Sequence, residues 1–268
     1  METRRRGLLL LAVLMSLVAC RSYEARWLDD RSGEASWREG EDWSVEFRVY
    51  GSLQEQFERG ALGGRVDVLT LVDELSKPGG AKRVFCVGVL EGGRGIVTVV
   101  RGRSYVSTVD SSTGEPVTRP ARPGDESAWL VAARVPKWYG LEVGPIRGYA
   151  ELEARIAEEL SSRGFDLSEP TPIWLRGSAS SIRGDVVDRG SPSDGELRFV
   201  EVAFQEPSER LDVVGVFVRG EAGSMKPENS AGSFHVLADG RAARLEDLDF
   251  TGGTLAFPST FRMPESVR

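Results

Sequence analysis

Residues 211–240 read LDVVGVFVRGEAGSMKPENSAGSFHVLADG, and the pattern of this stretch sets the architecture. Val213–Val218 is an unbroken apolar run, which marks a strand buried on both faces. Phe234–Leu237 predicts the strand that returns beside it. The Gly-, Pro- and Asn-rich segment between them predicts the connecting loop. The only histidine of the chain, His235, stands on the returning strand.

Upstream of this pair, Gly148–Arg163 predicts a helix. Tyr149, Leu152, Ile156 and Leu160 form a stripe at helical spacing, and Gly164 stops it. Strands are predicted at Ile173–Arg176, around Ile182–Val187 and at Glu196–Phe204, and Thr254–Phe257 closes the body. The earlier part of the chain repeats the order of helix, then strands. Val45–Tyr50 alternates as a strand, Ser52 caps a short helix to Arg59, and Asp67–Ser76 places Val68, Leu71, Val72 and Leu75 on one helical face. Strands follow at Arg83–Leu90, Gly95–Arg101 and Arg103–Val109, joined by hairpin-like glycine turns, and another at Ser127–Val135. Asp110–Asp125 reads as a Ser/Thr/Pro/Gly loop. The expected class is therefore α+β, with duplicated helix-plus-multistrand units forming mixed β-sheets over residues 44–140 and 141–258. A tail follows over 259–268.

The first nineteen residues are a separate object. Arg4–Arg6 give a positive start, and Leu8–Val13 opens an apolar stretch too short to span a bilayer. Cys20 comes directly after Leu17-Val18-Ala19, which resembles the bacterial lipobox. That resemblance implies a signal peptide over 1–19, lipidation at Cys20 and export to the cell envelope on a lipid anchor. Arg21, in place of the aspartate of inner-membrane retention signals, favours the outer membrane. The polar segment 20–43 reads as a flexible tether.

A net charge of −7 argues against nucleic acid as a partner, because a phosphate backbone needs a basic face. Cys86 is the only cysteine left after Cys20, so the exported chain has no internal disulfide. It sits in the apolar run Val84–Val89 and reads as a small buried hydrophobe.

Residues 85–105, FCVGVLEGGRGIVTVVRGRSY, resemble a segment of the acetolactate decarboxylase family, with Phe85, Gly88, Gly95, Gly102 and Tyr105 at the matching positions. Pro172–Arg176 stands where the family has F-Y-A-I-R. Asp212–His235 resembles its G-Y-H-x-H-F … G-G-H-V block, and Gly253–Pro258 its strand ending in Leu-Pro. The ordered series covers about residues 45–258. The resemblance implies a duplicated α+β fold, a homodimer, and a zinc ion on three histidines that stabilises the enediolate left after carbon dioxide departs. Two glutamates and an arginine would assist.

Most of that site does not carry over. The third histidine matches His235, but the first two fall on Phe217 and Arg219, one without a donor and one permanently cationic. One family glutamate falls on Ile96, and Glu265 is the remote counterpart of another. The arginine matches Arg176. One imidazole and a buried thiol are too few for zinc, so no cofactor is expected. Arg176, Arg219 and His235 are instead candidates for a positive, metal-free pocket for a small carboxylate, in which a guanidinium replaces the metal's charge. Each has a plainer reading: His235 as a hydrogen-bonded core residue, Arg176 as half of an ion pair, Arg219 as the solvated end of a strand.

Other catalytic sets are missing. No G-x-S-x-G elbow accompanies His235, and the glycines of Glu91–Gly95 lead into a strand rather than a helix. Three readings stay open. One is a lipid-anchored binding or interaction module with a degenerate decarboxylase site. The second is a working lyase that forms acetoin, through an unrecognised metal set or through Arg176 and Arg219 as catalytic groups. The third is a purely structural envelope protein.

Overall fold

Two antiparallel β-sheets lie face to face and form the body of the protein. The computed structural model describes residues 26–27, 45–51, 66–77, 80–189, 197–219 and 231–259. Cys20, the short helix expected over Ser52–Arg59, most of the loop after Val218, and Glu265 lie outside the described residues.

The first sheet contains β2 (Glu46–Tyr50), β3 (Val66–Asp67), β4 (Val84–Leu90), β5 (Ile96–Val100), β6 (Arg103–Val109), β7 (Pro116–Pro120) and β8 (Glu126–Arg134). Its order is β2-β8-β4-β5-β6-β7, with β3 on β8. All seven residues of β4 are buried. Phe85, Val87 and Val89 face the second sheet, and Val84 and Cys86 face α1 (Val68–Leu75). That double coverage is why the stretch reads as an unbroken apolar run. Helix α1 starts at Asp67, whose carboxylate accepts from Thr70 N at 2.8 Å and Gly124 N at 2.9 Å. Its Val68, Leu71, Val72 and Leu75 are the buried stripe that the sequence pattern predicts.

The second sheet contains β1 (Arg26–Trp27), β9 (Trp138–Val143), β10 (Ile146–Arg147), β11 (Thr171–Asp188), β12 (Arg198–Glu201), β13 (Ser208–Phe217), β14 (Gly232–Ala238) and β15 (Arg241–Pro258). Its order is β1-β9-β15-β14-β13-β11-β12. Strand β15 also pairs with β11, so β11, β13, β14 and β15 close into a ring of hydrogen-bonded neighbours. The two strands that close it are 18 residues long and change register at Ser178/Ala179, Ala179/Ser181 and Arg183/Gly184. Such irregularities let a strand bend from one partner to the next. Helix α2 (Gly148–Ser162) packs Leu152, Ile156, Ala157 and Leu160 into the same core as Leu141, Ile173, Leu175, Val213 and Leu255.

Alternation along the strands gives the second sheet two faces. On β13, Leu211, Val213 and Phe217 join the α2 side, whereas Val214 and Val216 point at the first sheet. Between the sheets, Phe85 lies 4.8 Å from Trp138 and 5.5 Å from Trp174 by ring centroids, and the two tryptophans are 5.8 Å apart. Aromatic contacts of this kind contribute about 0.5–1.5 kcal/mol each beyond their burial. Polar contacts fix the register of one sheet on the other. Ser107 Oγ donates to Ala242 O at 2.7 Å, and Ala242 N donates to Thr118 Oγ1 at 3.0 Å.

Several expectations need correction. Every strand pairing among the described residues is antiparallel, so the sheets are not mixed. The duplication of one helix-plus-strand unit is not confirmed either, since among the described residues the ring in the second sheet has no equivalent in the first. The segment 110–125 holds β7, a strand with proline at both ends, which suits the sheet edge where it lies. Ile173–Arg176 and Ile182–Val187 belong to the single strand β11. Strand β15 begins thirteen residues before Thr254, and its first half mixes charged residues with buried Ala242, Ala243, Leu245 and Leu248 without strict alternation. Within the tether segment, Arg26–Trp27 pairs with Tyr139–Gly140.

Candidate functional site

His235 lies on β14, opposite Val214 of β13 and Arg244 of β15. The side chain is 1% exposed and faces the first sheet. Its Nδ1 is 2.8 Å from the hydroxyl of buried Thr98 on β5. Burial, then the positive charge of Arg244, pushes the imidazole pKa down to about 3, against a smaller opposing effect of a hydrogen bond with the Val97 backbone. The ring is neutral at physiological pH.

Arg244 is itself held. Its Nε and Nη2 donate to Asp185 Oδ1 and Oδ2 at 3.0 and 2.8 Å, and its guanidinium lies 4.6 Å from the ring centroid of Phe199. Burial works against that charge, and the Asp185 carboxylate more than offsets it. Glu246 also contacts Arg244, and burial raises its carboxyl pKa. A cation thus occupies the neighbourhood where a metal-binding histidine would need further donors.

The residues around His235 do not fit a zinc ion. Phe217 pairs with Gly232 and points into the α2 core, on the opposite face of the sheet from His235. Arg219 is exposed beyond the end of β13, its backbone N–H donating to Leu167 O. Ile96 is fully buried among apolar side chains. Among the described residues, no three His, Cys, Asp or Glu side chains converge as a metal site would require.

Nor does the expected trio of Arg176, Arg219 and His235 assemble into one pocket. Arg176 pairs with Asp212 in the middle of β13, and Arg219 lies beyond Phe217, where the strand ends. Five residues of strand span about 17 Å. His235 lies between, closed off from solvent.

Arg176 instead lines a cleft of about 260 Å³ between the two sheets. From the first sheet and its approach come Lys82, Val100, Arg101, Arg103 and Tyr105, and from the second Arg176, Arg210, Asp212 and Leu237. Among the described residues, five cationic side chains therefore share one cleft with a single carboxylate. Asp212 accepts from Trp174 Nε1 at 2.8 Å and stands 3.9 Å from Arg176 Nε. The Arg176 guanidinium lies 5.9 Å from the Trp174 ring centroid, so carboxylate and indole together orient it.

Local sequence explains the other wall. The turn between β5 and β6 is Arg101-Gly102, with φ of +53° and +72°. This is the left-handed pair that a two-residue hairpin requires. Gly102 N donates to Val84 O at 2.9 Å, and a Cβ at Gly102 would stand 2.3 Å from Ala81 O. The turn therefore lies flat on the segment carrying Lys82. Arg103 and Tyr105 follow on alternate positions of β6, paired with Val100 and Thr98. Across the cleft, Arg176, Asp212 and Leu237 are successive cross-strand neighbours.

Lys82, Arg101, Arg103 and Arg210 escaped the sequence reading. They are spread over 129 positions, with only Arg101 and Arg103 close together, and form no run. The one local signal is an arginine in a hairpin position that favours Asn or Gly.

No protein-family model matches this chain, and no curated protein sequence matches it. Solved structures do. The chain superposes on acetolactate decarboxylase from Bacillus subtilis subspecies spizizenii with a TM-score of 0.58 at 15% identity, over 79% of this chain and 85% of that one. For alpha-acetolactate decarboxylase from Bacillus subtilis strain 168 the TM-score is 0.57 at 14% identity, over 79% and 84%. A Staphylococcus aureus protein of unknown function, described as similar to alpha-acetolactate decarboxylase, gives 0.57 at 12% identity over 79% and 84%. The fold of this chain is that of the acetolactate decarboxylases.

Proposed function

We propose that this protein is a lipid-anchored component of a bacterial cell envelope that uses the acetolactate decarboxylase fold, without zinc chemistry, to bind a small anion in the cleft at Arg176. The observation that carries this reading is the gathering of Lys82, Arg101, Arg103, Arg176 and Arg210 around one cleft in a chain of net charge −7. Opposite charge drawn into a partly enclosed site is attracted more strongly than at an open surface. Arg176 anchors the anion, because Asp212 and Trp174 fix its orientation. His235 takes no part in contacting the ligand. It is a neutral, hydrogen-bonded contact between the sheets.

The anchor rests on the signal-like residues 1–19 and on Cys20 after Leu-Val-Ala. Among the described residues no helix is long and apolar enough to cross a membrane. Outer-membrane placement rests on Arg21.

Calorimetric titration of the purified protein with small anions tests the binding reading, alongside metal analysis and an acetoin assay with 2-acetolactate. Heat on anion addition, sub-stoichiometric zinc and no acetoin are expected. Acetoin formation with one tightly held metal per chain overturns the reading in favour of a lyase. Incorporation of labelled palmitate, lost in Cys20→Ser, tests the anchor.

A further inference from the structure

Building on the anion-binding reading, we infer that the cleft accepts a phosphate-bearing ligand, a diphosphate or a small phosphate ester, which bridges the two sheets. The charge inventory is the first ground. A monocarboxylate offers two oxygens and one charge, and one guanidinium satisfies both. Asp212 balances one more charge, so a monocarboxylate would engage only part of a cationic lining that spans both walls of about 260 Å³. A diphosphate or phosphate ester brings two or more charges and enough oxygens to engage both walls.

The distribution is the second ground. Lys82, Arg101 and Arg103 come from the first sheet and its approach, Arg176 and Arg210 from the second. No single strand carries more than one of them on this wall except at the β5–β6 turn. Four of the five are arginines, whose planar forks suit phosphate oxygens.

The third ground is backbone strain. Arg101 has φ +53° at a turn where an L-residue with a long side chain is disfavoured. The charge is kept there at a conformational cost that Asn would avoid. Val100, Tyr105 and Leu237 add an apolar and aromatic strip for the organic part of an ester. The volume lies just below the roughly 300–1,000 Å³ range of sites for drug-sized ligands, so the organic part is small.

The test is calorimetric titration of the full chain with acetate, citrate, inorganic phosphate and pyrophosphate at one ionic strength. Pyrophosphate should bind at least about tenfold more tightly than acetate. Arg101→Asn suits the turn and should hold or raise the melting temperature while weakening pyrophosphate about three- to tenfold. Arg103→Gln, on an exposed strand position, should act in the same direction. Acetate affinity should change less than about twofold in both variants. Pyrophosphate binding no tighter than acetate overturns the inference and leaves the anion-binding reading intact. Citrate binding more tightly than pyrophosphate overturns the phosphate assignment in the same way. No heat from any of the four overturns both.

Discussion

His235 Nδ1 lies 2.8 Å from Thr98 Oγ1, and this contact ties β14 of the second sheet to β5 of the first through two side chains that are both almost wholly buried. The histidine that sequence comparison nominates for metal binding is therefore committed to holding the halves in register. A buried polar pair is favourable only while both members stay matched.

Acid should expose that commitment. The folded pKa of His235, about 3, lies below the ordinary value of 6.5. The unfolded chain therefore takes up a proton that the folded chain refuses. The stability involved is complete above about pH 6.5 and is lost as pH falls toward 3, amounting to about 2 kcal/mol at pH 5. Urea unfolding at pH 7.5 and pH 5 measures it. His235→Gln keeps a hydrogen-bonding partner for Thr98 without titrating, and should reduce the difference between the two pH values by about that amount. An undiminished pH dependence in the variant assigns it elsewhere.

Asp212 tempers the cleft. Asp212→Asn preserves an oxygen acceptor for Trp174 Nε1, which now bonds at 2.8 Å, and removes the only negative charge among the described lining residues. Pyrophosphate affinity should rise roughly two- to fivefold, within the range of a partly exposed charge. Trp174 fluorescence provides the titration signal. A fall in affinity would mean that Asp212 orients Arg176 more than it neutralises it.

Gly102→Ala should damage both stability and binding. The new methyl group would meet the Ala81 carbonyl at 2.3 Å in a residue with φ +72°. A cost above about 2 kcal/mol is expected by thermal or urea unfolding. Displacement of Arg101 and Arg103 should also weaken pyrophosphate.

Cys86 should be inert in the native protein. It is 2% exposed, and burial pushes its thiol pKa upward. In a Cys20→Ser chain, a disulfide reagent should label no thiol under native conditions and one per chain in denaturant. Rapid native labelling would place Cys86 near a cavity that opens.

Much of the fold was legible because its signals are local. The stripes of α1 and α2, and the continuous apolar runs of β4 and β13, follow from elements covered on one or both faces. Strand β15 was read only over its last apolar stretch, since Arg241–Asp249 mixes charges with alanine and leucine. The candidate site was legible only at Arg176. Phe217, which stands at a family ligand position by resemblance, and His235 project from opposite faces of neighbouring strands. The cationic cleft was hidden because its members meet only once β4, β5 and β6 pack across β11, β13 and β14.

The proline-bounded strand β7 has a bearing on how copies of this protein behave at high density. It forms the outermost strand of the first sheet, and Val117 is 46% exposed there. An open rim of unpaired amides would invite another molecule to add itself strand by strand. Pro116 and Pro120 withhold two of those amides within five residues. The rim is thus poorly suited to templated fibre growth, which matters most for chains concentrated on a surface.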